Sequence, residues 1–261
     1  MIFKLKNART KIVFISIFVF SVILQTLFVL SESFSEFYTV KVCGVLKYIF
    51  TPISIIPFSL AECIVIIFSI LFITAVSLFL FHLICRIIKK EFTTPYKAIF
   101  VLLLKLAIIV FFLFTITFSS SYHRLDVAKS MNLSLIEPNK ETITIAAEKV
   151  LEDLIIISKE VEYEKGAFSS SKMSFKELSK ALKLDADKAC KKYPFLNGTG
   201  SVAKPLITSK PMTWTHIAGI YAFFTGEPCI NTNYAPYTLP YTIAHEYAHQ
   251  RGIGPENEAE F

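Results

Sequence analysis

Three long apolar stretches dominate the first half of the chain. They cover about residues 12–30, 58–84 and 98–118, and strongly polar side chains are rare within them. A helix needs about 20 apolar residues to cross the hydrocarbon core of a bilayer, so the pattern predicts three transmembrane helices in residues 1–118. After residue 118, charged side chains interleave with periodic apolar ones. This change predicts a second, water-exposed domain over residues 119–261.

Polar and proline residues refine the prediction of the membrane segments in residues 1–118. Four basic residues precede the first span and no small-residue cleavage site follows it, which favours an uncleaved signal anchor over a cleavable signal peptide. Segment 43–57 is apolar but contains Pro52 and Pro57, so we expect it to be interfacial or re-entrant rather than a fourth span. Glu62, near the start of the second span, can reach the interface. Lys105, inside the third, is expected to snorkel to the nearer interface rather than to line a pathway.

Composition and charge agree with a membrane protein. Hydrophobic residues make up 53% of the chain and charged residues 18%, against roughly 25% in soluble domains, which excludes a wholly soluble protein. A disordered chain and a disulfide-dense miniprotein are excluded as well. The net charge of +6 lies in the apolar half, because residues 1–118 hold 11 Lys and Arg against 4 Asp and Glu, and residues 119–261 hold 16 against 17. The charge therefore does not indicate nucleic acid as a partner.

The basic residues beside the spans predict the orientation of the chain. Four precede the first span and four lie in the loop of residues 86–97, whereas the loop between the first and second spans has only Lys41 and Lys47. Loops rich in Lys and Arg remain in the cytoplasm. We therefore predict a multi-pass protein of the cell membrane, with the lipid bilayer as a partner, a cytoplasmic N-terminus and an extracytoplasmic domain over residues 119–261.

Helical patterns dominate the predicted exported domain. Apolar residues at helical spacing predict a long amphipathic helix over residues 139–165. The capping box formed by Ser174 and Glu177 opens a second helix, which continues to about Tyr193. We expect a mostly helical domain.

A short strand and two cysteines complete this domain. Aromatic and β-branched residues predict a strand over residues 229–233, at a sheet edge because Pro228 cannot donate to a ladder. The fold class is thus a membrane α-helical half with three transmembrane helices, followed by an α+β domain. Cys190 and Cys229 share this domain and can pair in an oxidising compartment, but the sequence leaves that pairing open.

One motif carries chemistry. His245-Glu246-Tyr247-Ala248-His249 matches the H-E-x-x-H pattern. Residues four apart on a helix face the same side, so both imidazoles can bind one metal ion, for which zinc is the expected identity. Glu246 can then serve as a general base toward water.

The surroundings of the motif suit a helix and a third ligand. Pro240 fits the first helical turn, Thr238 is a plausible cap, and Gly252 ends the helix. A catalytic zinc ion typically has three protein ligands and one open position. Glu256 and Glu258 are the available carboxylates, and they lie two apart on a new helix, so they cannot both point at one metal.

Short runs around the motif carry a family resemblance. These runs are F-T-G-E, L-P-Y-T, H-E-x-A-H-Q-R-G and E-x-E-A-x-F. A further run, Tyr122-His-Arg124, follows the third span. With the three-span first half, they resemble the DUF3810 family of bacterial membrane proteins over most of the chain. The resemblance implies a zincin-like metallopeptidase. In related membrane zincins the third ligand is the first Glu of E-x-x-A-D, which implies Glu256, with Ala259 as the Ala and Glu260 in place of the histidine-supporting Asp.

These features together predict a membrane-anchored zinc metallopeptidase. His245, His249 and Glu256, with Glu258 as the alternative third ligand, are expected to hold zinc, and Glu246 to transfer the proton during peptide-bond hydrolysis. The substrate is a peptide or protein. The alternative is a non-catalytic integral membrane protein with a structural zinc site or none. Structural zinc sites are usually closed and cysteine-rich, which favours the enzyme.

Substrate-binding groups are less well indicated. The strand at residues 229–233 can present an open edge to an extended substrate by β-addition. Tyr221, Tyr247 and His216 are candidate oxyanion donors. His216 and His123 are otherwise expected to be surface or structural residues rather than ligands.

The end of the sequence leads to one more expectation. Phe261 follows Pro255 by six residues, which is short for a stable helix. We therefore expect the natural protein to continue beyond Phe261.

Overall fold

The computed structural model describes residues 2–89, 95–163, 169, 172–196, 198 and 200–261, and most of them are helical. The helices are α1 (Ile2–Leu30), α2 (Glu32–Phe37), α3 (Gly44–Phe50), α4 (Leu60–Lys89), α5 (Pro95–Thr117), α6 (Val127–Ser130), α7 (Lys140–Ser158), α8 (Phe175–Lys192), α9 (Ser209–Thr213), α10 (Leu239–Gln250) and α11 (Glu256–Ala259). The strands are β1 (Lys204–Pro205), β2 (Gly219–Ala222) and β3 (Glu227–Ile230). A π-helical turn (Tyr38–Cys43) and three 3-10 turns (Thr51–Ile55, Ser119–Tyr122 and Pro236–Thr238) connect them.

The three long helices α1, α4 and α5 contain the predicted spans. Within them, Ala8–Leu30, Leu60–Cys85 and Phe100–Thr117 are long and apolar enough to cross a membrane. Both α1 and α4 pack against α5, and most of their large apolar side chains face outward. The Lys105 ammonium lies 5.3 Å from the centre of the Phe14 ring on α1. Residues 90–94 of the basic loop lie outside the described residues.

Residues 32–58 pack into the domain formed by the second half of the chain. Lys47 is buried and donates a hydrogen bond to the carbonyl of Gln250, the last residue of α10. Lys204 of β1 donates to the carbonyls of Ser54 and Ile56. The segment expected to be interfacial or re-entrant therefore contacts α10, the helix that carries the H-E-x-x-H motif. The predicted domain boundary at residue 118 had placed this segment with the first half of the chain.

Two buried carboxylates join the start of α4 to the sheet side of the domain. Glu227 accepts hydrogen bonds from the backbone N–H groups of Leu60 at 3.1 Å and Ala61 at 2.7 Å, and so caps α4. Glu62 accepts from the N–H groups of Ile207 at 2.8 Å and Thr208 at 2.6 Å. Glu62 was expected to reach the interface; its carboxylate is buried, and long-range backbone donors of the domain satisfy it.

Lys47 makes the stability of the domain depend on pH. Burial lowers the pKa of Lys47 to about 7 from its ordinary value of 10.5. Between these values the unfolded chain binds the proton and the folded chain does not, so stability rises with pH above about 7. We expect Lys47→Met to remove this contribution, which is at most about 1.4 kcal/mol per pH unit.

The measurement is the urea unfolding midpoint of the detergent-solubilised protein at neutral and at moderately alkaline pH. Lys41→Met is the matched control, because Lys41 lies on the same segment and is exposed. The control should keep the rise with pH. An unchanged rise in Lys47→Met would contradict the assignment.

Two of the helices after α5 were predicted from the sequence, and one of them is shorter than predicted. The capping box of Ser174 and Glu177 is present at the start of α8, which ends at Lys192, so this helix is confirmed. The helix predicted over 139–165 is α7, which starts at Lys140 and ends at Ser158. Residues 164 and 165 lie outside the described residues. The apolar side chains of α7 remain at least half exposed, so no packing partner among the described residues extends the helix.

The strands form one sheet with the order β1-β3-β2, in which β3 is parallel to β1 and antiparallel to β2. The prediction of an edge strand is therefore wrong, because β3 is central. The proline is tolerated for a geometric reason. The N–H of Asn231 donates toward β2, at Ala218, so the nitrogen of Pro228 faces the β1 side, where pairing starts only at Cys229. No ladder bond is lost.

Candidate metal centre

Helix α10 begins and ends where the sequence indicates. Pro240 lies in its first turn, and Thr238 is the residue before the helix. The Thr238 hydroxyl donates to the carbonyl of Ala235 and makes no capping bond, because a 3-10 turn precedes the helix. Gly252 follows the last turn with φ of 92°, a left-handed conformation that glycine adopts without strain.

The two faces of α10 have different environments. Ile243 and Tyr247 are buried in a core cluster with Leu178 of α8 and Ile230 of β3. The Tyr247 hydroxyl donates to the carbonyl of Ser179 and accepts from the N–H of Ala203. Tyr247 is therefore a structural residue of the core, and not available as an oxyanion donor.

The opposite face brings three ligand atoms together. His245 Nε2 lies 3.0 Å from Glu256 Oε2 and 3.2 Å from His249 Nε2, and His249 Nε2 lies 3.4 Å from Glu256 Oε2. Ligand atoms about 2.0–2.1 Å from a tetrahedral zinc ion lie roughly 3.3–3.4 Å apart. The three separations, 3.0, 3.2 and 3.4 Å, are close to this spacing, and two of them are somewhat shorter. Among the described residues, no other group of His, Cys, Asp and Glu converges in this way.

The hydrogen bonding of His249 fixes its tautomer. Its Nδ1 lies 2.8 Å from the carbonyl of Ile253, which can only accept, so Nδ1 carries the proton. In the neutral ring Nε2 then presents a lone pair toward His245 and Glu256. A carbonyl partner of this kind on the other ring nitrogen is common at metal-binding histidines.

A tight turn holds Glu256 beside the histidines. A Cβ atom on Gly254 would lie 2.8 Å from the Ser121 carbonyl oxygen, so the turn touches the backbone at the end of the third span. Arg124 donates to the carbonyl of Gly252 at 3.0 Å on the other side of this turn. Glu258, the alternative third ligand, accepts from the N–H of Val127 at 3.1 Å and does not join the cluster.

Glu246 is buried next to the cluster. Its Oε2 atom has no hydrogen-bond partner among the described residues, although it is shielded from solvent. Burial raises the pKa of Glu246 to about 8, and the negative charge of Glu256 adds to the rise. Gly219 of β2 leaves the space that the carboxylate occupies, since a Cβ atom there would lie 2.6 Å from Glu246 Oε1.

The ligand atoms and Glu246 face a cleft of about 550 Å³. Its walls come from the end of α5, the loop before β2, β2 itself and one side of α10. Tyr122 and Tyr241, which sequence reasoning did not select, line this cleft and are about half exposed. Tyr122 was visible only as part of the Tyr-His-Arg run, and nothing in the sequence singled out Tyr241.

The remaining residues considered from the sequence lie inside or outside the cleft. His216 lines the cleft, and Tyr221 lines it as a buried side chain whose pKa burial raises. His123 Nε2 lies 3.4 Å from the amide of Gln25 on α1, outside the cleft. Glu260 lines the cleft but makes no hydrogen bond with either histidine among the described residues.

The cysteines do not form a bridge. Cys190 and Cys229 are not joined by a disulfide. Cys229 is buried in β3, where its Sγ lies 3.2 Å from the hydroxyl of Ser59. The pairing that the sequence left open is therefore absent.

Comparison with known proteins identifies the family. The family described as "Protein of unknown function (DUF3810)" matches residues 34–261, which include every residue of the donor cluster. The chain belongs to the DUF3810 family. The match also covers the segment before α4 that supports α10, so that segment is part of the DUF3810 domain. No curated protein and no solved structure matches the chain.

Proposed function

We propose that this DUF3810 protein is a membrane-anchored zinc metallopeptidase with a zincin-like domain. The observation that carries the proposal is the convergence of His245, His249 and Glu256 on one point, with the buried carboxylate of Glu246 beside it. Two imidazole nitrogens and one carboxylate would leave one position of a four-coordinate ion without a protein ligand. That is the donor set of catalytic zinc sites, whereas structural sites are closed and rich in cysteine.

Each residue has a task in this proposal. His245, His249 and Glu256 would hold zinc, which as a Lewis acid makes water nucleophilic near neutral pH and polarises a peptide carbonyl. Glu246 takes the proton of the attacking water and returns it to the leaving amine. The Ile253 carbonyl orients His249 through Nδ1. Gly219 permits the Glu246 carboxylate to remain in its position.

Strand β2 supplies a place for a peptide. It is at the end of the sheet order, so one of its edges is free of strand partners among the described residues. Gly219, Ile220 and Tyr221 of this strand line the cleft. An extended substrate can therefore add to β2, rather than to the central β3, and pass in front of Glu246. Tyr122, Tyr241 and His216 are the candidate donors to the developing oxyanion.

The orientation in the membrane is part of the proposal. The end of α1, the start of α4 and the end of α5 contact the domain, through Gln25 with Ser119 and through Leu60 with Glu227. The basic N-terminus and loop 86–97 belong to the opposite ends of these helices. The positive-inside rule then assigns the domain to the extracytoplasmic side.

The test is zinc content followed by peptide cleavage. The full chain purified in detergent should contain about one zinc ion, bound at the single donor cluster of the described residues. It should cleave an unstructured peptide mixture, and a chelator should stop the reaction until zinc is restored. Zinc that resists removal in a protein without cleavage would instead support the alternative, an integral membrane protein with a structural site.

Gly219→Ala should separate metal binding from catalysis. The added Cβ atom would lie 2.6 Å from Oε1 and 2.8 Å from Cγ of Glu246, so this carboxylate must move. A displacement of about 1 Å in a catalytic group can lower the rate by about 10²-fold. We expect kcat to fall by about this factor while zinc content stays at the wild-type level. Wild-type kcat in the variant would show that the position of Glu246 does not matter.

A further inference from the structure

The candidate metal centre lies beside the end of the third long apolar helix. The third apolar stretch ends at Thr117, and the ring centre of Phe118, the next residue, lies 6.2 Å from that of His249. Phe114 also lines the cleft, although it lies within the span Phe100–Thr117. At a rise of 1.5 Å per residue, Phe114 is roughly 4.5 Å inside the end of the apolar stretch. One wall of the cleft is therefore formed in part by the third apolar stretch.

The wall on this side of the cleft is apolar. The rings of Phe114 and Phe223 lie 5.4 Å apart, and those of Phe118 and Tyr221 lie 5.2 Å apart. Ile220 of β2 completes the wall with a side chain that is about half exposed. Apolar walls of this kind favour a large apolar side chain next to the bond that Glu246 faces.

Beside this wall, Ile207 and Trp214 form an apolar rim of the cleft. This rim is bonded to the start of α4. Glu62, the third residue of α4, holds the backbone of Ile207 and Thr208. Ile207 is 74% exposed, and Trp214, just after α9, is 84% exposed. Exposed aromatic and apolar side chains next to the end of a membrane helix are typical of the membrane–water interface. Residues 216–218, which follow Trp214, line the cleft, so rim and cleft are continuous.

We propose that the substrates are polypeptide segments at the membrane surface, namely the stretches of integral membrane proteins directly outside their spans. Such a segment leaves the bilayer beside Phe114, places an apolar side chain among the phenylalanines, and pairs with the free edge of β2. This inference rests on the proposed peptidase function. It adds to it the class of substrate and the place of cleavage.

The test uses a substrate that reports where along its length it is cut. A single-span helix is followed by an unstructured tail carrying identical copies of one cleavable sequence with a large apolar residue at increasing distances from the bilayer. The zinc-loaded full chain and this substrate share vesicles of phosphatidylethanolamine and phosphatidylglycerol. We expect the copy nearest the bilayer to be cut about tenfold faster or more than the distal copies and than the same sequence free in solution.

The outcomes separate this inference from the proposed function. Equal cleavage of all copies and of the soluble peptide overturns the inference and leaves the peptidase function in place. Absence of cleavage of every substrate by protein that contains zinc overturns both. Glu246→Gln serves as the control for contaminating proteases, because its cleavage should be lost at all positions.

A second measurement does not depend on activity. Trp214 is the only tryptophan in the chain, so its fluorescence reports the rim directly. In vesicles with brominated acyl chains we expect strong quenching of Trp214 compared with vesicles of the same head-group composition without bromine. Equal fluorescence in the two kinds of vesicle would show that the rim lies away from the bilayer, and would overturn the inference whatever the protease assay gives.

Discussion

Replacement of Glu246 by Gln is expected to slow the proposed peptide hydrolysis strongly and to leave the proposed zinc site intact. Glutamine has nearly the same shape as glutamate but has no carboxylate to take the proton of water. General acid–base groups contribute typically about 10²–10⁴-fold to a rate, and we expect a loss of kcat in this range. The carboxylate is not one of the three converging ligand atoms, so the zinc content should stay unchanged.

The measurement is kcat with a fluorogenic peptide, alongside zinc per chain by elemental analysis. Glu148→Gln on α7 is the matched control, since Glu148 is an exposed acid of the same domain and does not line the cleft. It should behave as the wild type. A Glu246→Gln protein that retains both zinc and the wild-type rate would exclude Glu246 as the general base. His249→Ala, in contrast, should lose the metal and the activity together.

Replacement of Arg124 by Met is expected to cause the largest loss of stability. Its Nε and Nη2 atoms each donate to Glu36 at 2.7 Å, and its guanidinium also reaches the carbonyls of Phe195 and Gly252. The Arg124 side chain is 5% exposed. Removal of one partner of a buried ion pair costs about 3–5 kcal/mol, and because the Glu36 side chain is 23% exposed we expect a loss toward the lower end of this range. We expect the urea midpoint to fall accordingly.

The position of Arg124 adds a second expected effect. Its bond to Gly252 supports the turn that leads to Glu256, so zinc affinity should fall even under conditions where the protein remains folded. Lys129→Met is the control, because Lys129 is also basic and pairs with Glu32 and Asp126, but its side chain is 63% exposed. The control should change neither midpoint nor zinc affinity measurably. Equal behaviour of the two variants would refute the role assigned to Arg124.

Features that depend on neighbouring residues were predictable from the sequence. The three long apolar helices follow from stretches of continuous apolar residues, because a backbone expected in lipid must satisfy its own hydrogen bonds in a helix. The start of α8 follows from Ser174 and Glu177, whose side chains bond the first turn. His245 and His249 share one face because a helix turns once in about 3.6 residues. Each of these depends on contacts within a few residues.

Features that depend on distant residues needed the tertiary structure. Pro228 suggested an edge strand, but only the pairing of β1 beyond it shows why the central position is permitted. The sequence could not show that the carboxylate of Glu62 accepts hydrogen bonds from the backbone of residues 207 and 208. The sequence could not show that residues 32–58 support α10, because Lys47 and Gln250 are 203 positions apart.

The candidate site divides in the same way. The sequence by itself determined the pair of histidines and the adjacent Glu246, since one helix carries all three at fixed spacing. Only the tertiary structure decided that Glu256 lies beside them and that Glu258 bonds Val127, because the turn at Gly254 is set by its contact with Ser121. It alone also decided that the cleft lies against Phe114 and Phe118 at the end of α5. Helical periodicity is a local property, whereas the direction of a turn and the walls of a cleft are set by the packing of segments far apart in the chain.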